Sequence, residues 1–483
     1  MLVRTLHPLL RAFSVSYFWV INFAFWLCNF CKHKRSVDQP VNELLLISGV
    51  EAAAMIRRGE LKSEELVEAY IDRIAHVNGL INAMVADNFQ AAKDLAQQID
   101  FYLDQLDKSS DEYANLAKTK PLLGIPFTIK DNVFVKGFLC TAGVPARKNI
   151  PACVDDAEAV KRLKGAGAIV LCITNVPELA LWWETSNYIY GCSNNPYDLR
   201  RTPGGSSGGE GALISAAGSV IGLGNDVGGS IRIPALFNGI FGLKPGPDVV
   251  PSRGLFPQIV GGYLAQMATA VPLCRYAKDL PLMLRVLAGD EIADRRLRLA
   301  ERVDFRKVRV FYMEDLKSLL CEDLHPEMRL SVRKAAKYFE KKYDRSTTVW
   351  ICFDEADFPK ITQAMSNFEY NVNPVWELLK WCFRQSEHTL PAIITAIHTS
   401  LPPPSKQLKG FVDSKRDQLR REIIDLLGDD GILIFPAFST TAHSTTKIVA
   451  APDQERLLIA AAQDLEEGFG DGHRQPEYDF IEK

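Results

Sequence analysis

A twenty-residue uncharged stretch rich in aromatic residues lies near the start of the chain, where residues 12–31 read AFSVSYFWVINFAFWLCNFC. Twenty helical residues at ~1.5 Å each match the roughly 30 Å hydrocarbon core of a bilayer. Arg4 and Arg11 precede the run, Lys32, Lys34 and Arg35 follow it, and Tyr17, Trp19 and Trp26 suit a membrane interface. The pattern predicts a membrane-anchoring helix over 12–31, either single-pass or lying in the interface plane. A cleaved signal peptide is the rival, but no clear small-x-small site follows and the run is long for one. Asn22 and Asn29 weaken a full span, and the similar basic flanks set no orientation. Cys28 and Cys31 are candidate palmitoylation targets, although apolar filler is the commoner role.

Residues 36–40 turn polar and read as a linker. Beyond them the periodicity changes. Ser48 and Glu51 form a capping box for a helix over 50–58. Ser63 is expected to cap the next helix, whose Leu66, Tyr70, Ile71 and Ile74 recur at helical spacing. A strand over 80–86, a helix over 89–106, a buried strand over 124–130, a helix over 156–164 and a buried strand over 168–174 follow. Residues 376–383 and 419–427 are apolar helical stretches, and 432–436 is another core strand. This alternation predicts an α/β fold with a mixed central sheet covered by helices on both faces. No repeat or second long linker interrupts it. One large domain is therefore expected over 41–470, behind an anchor and linker over 1–40.

Charge narrows the function. The 56 Lys and Arg against 59 Asp and Glu leave a net charge of −3, without the basic excess that marks a nucleic-acid binder. A 47% hydrophobic content with 24% charged residues excludes a disordered chain. Ten cysteines are too dilute for a disulfide scaffold and show no zinc spacing. No H-E-x-x-H is present, and His388 and His398 read as core or surface histidines.

The candidate chemistry is concentrated in residues 203–245. A Gly/Ser loop, GGSSGGEG over 204–211, feeds a helix, and a strand over 220–225 ends in Asp226-Val227-Gly228-Gly229-Ser230. Such loops expose backbone N–H groups and let a substrate approach the main chain. No Lys-Ser or Lys-Thr completes a phosphate loop. Gly222, Gly224 and Gly228 are one residue out of the dinucleotide fingerprint. Ser230 is followed by Ile231 and Arg232, so the hydrolase elbow G-x-S-x-G is absent. What remains is a serine nucleophile in a nest of N–H groups, with a base other than histidine. A merely structural Gly-rich turn is the competing explanation; two such loops and Lys130 on a buried strand upstream count against it.

GGSSGGEG, DVGGSIRIP from Asp226 and GIPFTIKDN from Gly124 together resemble the amidase signature family, in its fatty-acid amide hydrolase branch. SNNPYD from Ser193 and WELLKW from Trp376 extend the resemblance from about Asn42 to Val449. It implies a Lys130–Ser206–Ser230 triad, with Ser206 at an unusual cis peptide relaying a proton between the other two. Ser230 would attack the amide carbonyl, with the N–H groups of Val227, Gly228, Gly229 and Ser230 as oxyanion hole. Ser207 is expected to hydrogen-bond Lys130 in support. Asp226 and Arg232 are expected to pair first and to serve catalysis second. To act as a base, Lys130 must lose about three pKa units from its usual ~10.4, which burial can supply.

The implied reaction is hydrolysis of fatty-acid amides to fatty acid and amine, with no metal or organic cofactor. The implied partners are a lipid amide and the membrane, with no nucleic acid; a homodimer stays open. Two alternatives stand beside it: a glutaminase subunit of a tRNA-dependent amidotransferase, and an impaired homologue that binds lipid or a partner. The second arises because the chain departs from the family. A core segment is missing near 449–451, a smaller gap lies between Pro359 and Pro374, and the tail over 471–483 is atypical. An exposed sheet edge and reduced folding or turnover are expected from these departures.

Overall fold

Twelve strands appear in the computed structural model, which describes residues 2–31, 33–259, 262–314, 324–343, 347–348, 361–367, 369–400, 406–436 and 447–469. They are β1 Met84–Asp87, β2 Pro126–Lys130, β3 Ile169–Thr174, β4 Ser186–Asn187, β5 Gly191–Cys192, β6 Ile221–Asp226, β7 Phe241–Gly242, β8 Thr269–Cys274, β9 Arg309–Tyr312, β10 Thr347–Thr348, β11 Gly431–Phe435 and β12 Lys447–Ala450. A six-stranded mixed sheet has the order β1-β3-β2-β6-β8-β7. Its centre, β3-β2-β6, is parallel, while β1 and β8 run antiparallel to their neighbours. β2 and β3 are buried at every residue, which is why they read as continuous apolar runs rather than alternating ones.

The expected single central sheet is divided. β10-β9-β11-β12 forms a separate four-stranded sheet. Val310, Ile432 and Ile434 meet Phe339 and Leu457, from the helices Pro326–Tyr343 and Glu455–Phe469, in one core. Phe311, Leu433 and Phe435 meet Leu427, from Lys406–Leu427, in another. β12 turns directly into Glu455–Phe469 and stands at the sheet edge. Among the described residues β12 is the edge strand of this second sheet, away from β2 and β6, with Ile448, Val449 and Ala450 half-buried, and β11 is paired on both sides.

Local signals decide most boundaries. Ser48 accepts the N–H of Glu51 at 3.3 Å and starts the helix Gly49–Arg58. Ser63 is not a cap but the first residue of the helix Ser63–Ile81. Asp100, from the helix Phe89–Gln105, reaches across to accept the N–H groups of Ser63 and Glu64 at 2.8 and 3.0 Å. The strand expected over 80–86 begins later. Asn82 adopts a left-handed φ of 47° and ends the helix, while Asn78 Oδ1 holds the N–H groups of Ala83 and Met84. The helix Asp111–Thr119 was not expected from the pattern. The polar linker is tied down, since Leu199 N–H donates to the Arg35 carbonyl and Val37 N–H to the Pro196 carbonyl, both at 2.8 Å.

A helix does form over Leu2–Asn29, with Phe13, Trp19 and Trp26 exposed. Trp19, Phe23, Trp26 and Phe30 form a ladder of rings 5.0–5.7 Å apart along one face. Among the described residues, however, no helix is long and apolar enough to cross a membrane. Ser16, Tyr17 and Asn22 dilute this one. The tail over 471–483 and part of the gap before Pro374 lie outside the described residues.

Candidate active site

The parallel strands β2, β3 and β6 deliver their last residues to one end of the sheet, where ligand sites of such sheets are found. Lys130 ends β2 and is fully buried. Its Nζ donates to Ser206 Oγ at 2.8 Å and to Asn225 Oδ1, near the end of β6, at 2.5 Å. Neither partner carries a charge. Burial therefore dominates and pushes the Lys130 ammonium down to about 7, against the opposing pull of Asp226 and Glu210.

Ser206 belongs to the Gly/Ser loop, and the Gly205–Ser206 peptide is cis. A Cβ on Gly205 would stand 2.5 Å from the Trp182 carbonyl oxygen, so only glycine lets the loop lie against residues 182–184. The next N–H, of Ser207, donates to the Ser230 carbonyl at 3.0 Å and joins the two loops. The helix Gly208–Ser215 then carries Glu210 beneath the site, fully buried. Its Oε2 accepts from Thr128 at 2.6 Å and its Oε1 from Thr174 at 2.7 Å. Burial raises this carboxyl to about 7.

The loop after β6 is organised by Asp226. Its carboxylate accepts the N–H groups of Gly229 and Ile231 at 2.9 and 3.0 Å, and Arg232 Nε and a terminal guanidinium nitrogen at 3.0 and 2.8 Å. Although burial opposes it, the Arg232 cation, its hydrogen bonds and Lys244 hold Asp226 well below the usual carboxylate range. Lys244 Nζ bonds the Asp226 carbonyl at 2.9 Å. Ser230 and Val227 are half-buried and Gly228 is exposed, so this loop faces solvent beside the buried lysine.

Most of the expected residues meet here, with two corrections. Ser207 does not bond Lys130: its Oγ is buried without a hydrogen-bond partner among the described residues, and Asn225 takes the lysine instead. Gly229 N–H is committed to Asp226, so the N–H groups left to meet an oxyanion are those of Val227, Gly228 and Ser230. Asp226 and Arg232 pair as expected. Asn225, Thr128 and Thr174 were not singled out from sequence; the signal was a polar residue interrupting each otherwise apolar strand. His388 is buried, with Nδ1 2.6 Å from Glu178, and His398 is exposed; the lysine's hydrogen bonds go to Ser206 and Asn225. Among the described residues no group of three His, Cys, Asp or Glu could hold a metal ion.

A buried, weakly basic lysine bonded to a loop serine, beside a second serine loop with N–H groups that have no partner among the described residues, is equipment for acyl transfer. The chain belongs to the amidase family: the family model, described as Amidase, matches residues 65–453. It is an amidohydrolase of the amidase-signature α/β fold. Fatty-acid amide hydrolase 2 of Homo sapiens is 39% identical over 498 aligned positions, covering 91% of this chain and 92% of that protein. Fatty-acid amide hydrolase 2-A of Danio rerio is 36% identical, covering 92% and 93%. A solved fatty acid amide hydrolase shares the fold at a TM-score of 0.62 and 21% identity, covering 87% of this chain and 72% of that one.

Proposed function

We propose that the chain hydrolyses fatty-acid amides through an acyl-enzyme on Ser230, with Ser206 as proton relay and Lys130 as base. The observation that carries this reading is the contact of buried Lys130 with Ser206, in a loop bonded through Ser207 to Ser230. A neutral lysine takes a proton from Ser206 as Ser206 takes one from Ser230. The Ser230 oxygen then bonds the amide carbon, and the developing oxyanion meets the N–H groups of Val227, Gly228 and Ser230. The proton returns through Ser206 to the nitrogen, so the amine leaves neutral. Water repeats the sequence on the ester and releases the acid. Every proton is returned, and no cofactor enters.

The similarity to two fatty-acid amide hydrolases over more than nine-tenths of the chain supports the lipid substrate. So does the exposed aromatic helix at the N-terminus, which we assign to membrane association at the interface. The test is labelling by a fluorophosphonate in membranes, followed by hydrolysis of a long-chain fatty amide. Labelling should vanish in Ser230→Ala and fall in Lys130→Ala, and the amide should be turned over. Labelling that survives Ser230→Ala would overturn the assignment. Glutamine hydrolysis dependent on a partner subunit would replace the substrate class.

A further inference from the structure

The mechanism leaves one buried ionisable group beneath Lys130 unused. Glu210 shares a face of the sheet with the lysine. Thr128 lies two residues before Lys130 on β2, and Thr174 stands opposite Lys130 in the β2–β3 register. Both threonine hydroxyls donate into the carboxylate, one to each oxygen. Gly222 on β6 makes the room, since a Cβ there would fall 1.9 Å from Oε2. Four elements therefore converge to fix a carboxylate that touches no substrate-facing atom and forms no ion pair among the described residues.

We propose that Glu210 is a positioning residue for Lys130: a counter-charge, held off contact by two threonines, that sets how readily the lysine takes its proton. This rests on the reading of Lys130 as the base. Such a base must be neutral at rest, yet its ammonium must form without a large penalty. A carboxylate in direct contact would lock the ammonium in place. Here Lys130 Nζ is engaged by Ser206 and Asn225, and both Glu210 oxygens by threonine, so the charges feel each other without pairing.

Asp226 also draws Lys130 toward its charged form, more strongly than Glu210 does, but its own contacts are fixed by other groups. Asp226 is matched by Arg232, with Lys244 at 3.9 Å, and Asp131 turns its carboxylate to Thr141. From β3, the buried Cys172 thiol faces Glu210, and burial keeps it neutral. Burial brings Glu210 and Lys130 into the same titration range, so proton occupancy on one bears on the other.

The test is the acid limb of kcat/KM for a fatty amide, together with the pH dependence of fluorophosphonate labelling. Removing the negative charge makes the ammonium harder to form. Because Glu210 gives up its own charge near 7, the effect is confined to the upper part of the limb: the acid limb of Glu210→Gln should move down by about 0.3 pH unit, a twofold gain there relative to its own plateau. Glu210→Asp keeps the charge and should restore the limb even where the plateau is lower. Thr174→Val removes one donor and should move the limb the same way by less. An unmoved limb in a folded Glu210→Gln, or an upward move, overturns the proposal. Should that variant not fold, Thr174→Val decides by the same criterion. Labelling independent of Ser230 and Lys130 would instead sink the underlying site assignment, whereas normal dependence on both with an unmoved limb sinks only the role of Glu210.

Discussion

Lys130 ends a strand whose five residues are all buried, so its ammonium gives up water and gains only two neutral partners. On the proposed mechanism the neutral form is the working one, so kcat/KM should fall about tenfold per pH unit below about 7, measured with a substrate that does not itself titrate. Lys130→Met should fold normally and lose roughly 10²–10⁴-fold in kcat/KM, the span typical of a lost general base. Asp226 shows the opposite electrostatics, a buried carboxylate held charged by Arg232. Asp226→Asn leaves that cation short of its partner and should lower stability by about 3–5 kcal/mol at neutral pH, read from denaturant melts. The folded pKa of Asp226 is depressed, so the stability it contributes is full above about pH 4 and lost as pH falls. The gap between wild type and Asp226→Asn should therefore close in acid; a constant gap would mean that packing, not charge, is responsible.

The helix Gly208–Ser215 is the element on which the site depends, because it starts directly after Ser206 and Ser207 and carries Glu210. It docks by backbone-to-backbone approach. A Cβ on Gly209 would meet the Asn175 nitrogen at 2.5 Å and its carbonyl oxygen at 2.6 Å. Neither atom can swing aside as a side chain can. Gly209→Ala should cost at least about 1–3 kcal/mol and lower labelling together with melting temperature. Gly79, inside Ser63–Ile81, is the control: a Cβ there meets nothing within 4 Å. Gly79→Ala should raise stability by up to about 1 kcal/mol through helix propensity, with labelling unchanged. Equal losses in both variants would show that the close approach does not set the docking.

Over the whole molecule, the candidate site belongs to the six-stranded sheet, while the gap expected near 449–451 would fall beside β12 in the other sheet. The alignment with the human relative runs to 498 positions, more than this 483-residue chain contains, so some positions of that relative have no counterpart here. The candidate site and the expected gap thus lie in separate sheets, as two separate problems for folding. The N-terminal helix is a third, since its exposed rings lie apart from the hydrophobic cores. Removing residues 1–31 should abolish most sedimentation with phospholipid vesicles while leaving fluorophosphonate labelling in place. Undiminished sedimentation would assign membrane affinity elsewhere on the protein.

The strands β2, β3 and β6 and the serine loops were legible in the amino-acid order. Their signals are local: apolar runs of strand length, clustered glycines, and caps such as Ser48. Lys130 stood out as a polar residue at the end of an apolar run, and the serines through the glycines clustered around them and the family motifs they belong to. The chain alone also carried the Asp226–Arg232 pair, six residues apart across one turn. Contacts between distant segments were settled only by folding. Asp100, rather than Ser63, caps a helix start because another helix brings it there. Asn225, rather than Ser207, receives Lys130 because the β2–β6 pairing sets which side chains face each other. Gly229 gives its N–H to Asp226 because the loop folds back on its own strand. Residue type and spacing determined which chemistry is present; strand register and loop closure determined which atoms carry it, because hydrogen-bond partners are chosen by distances of a few ångströms that no one-dimensional pattern contains.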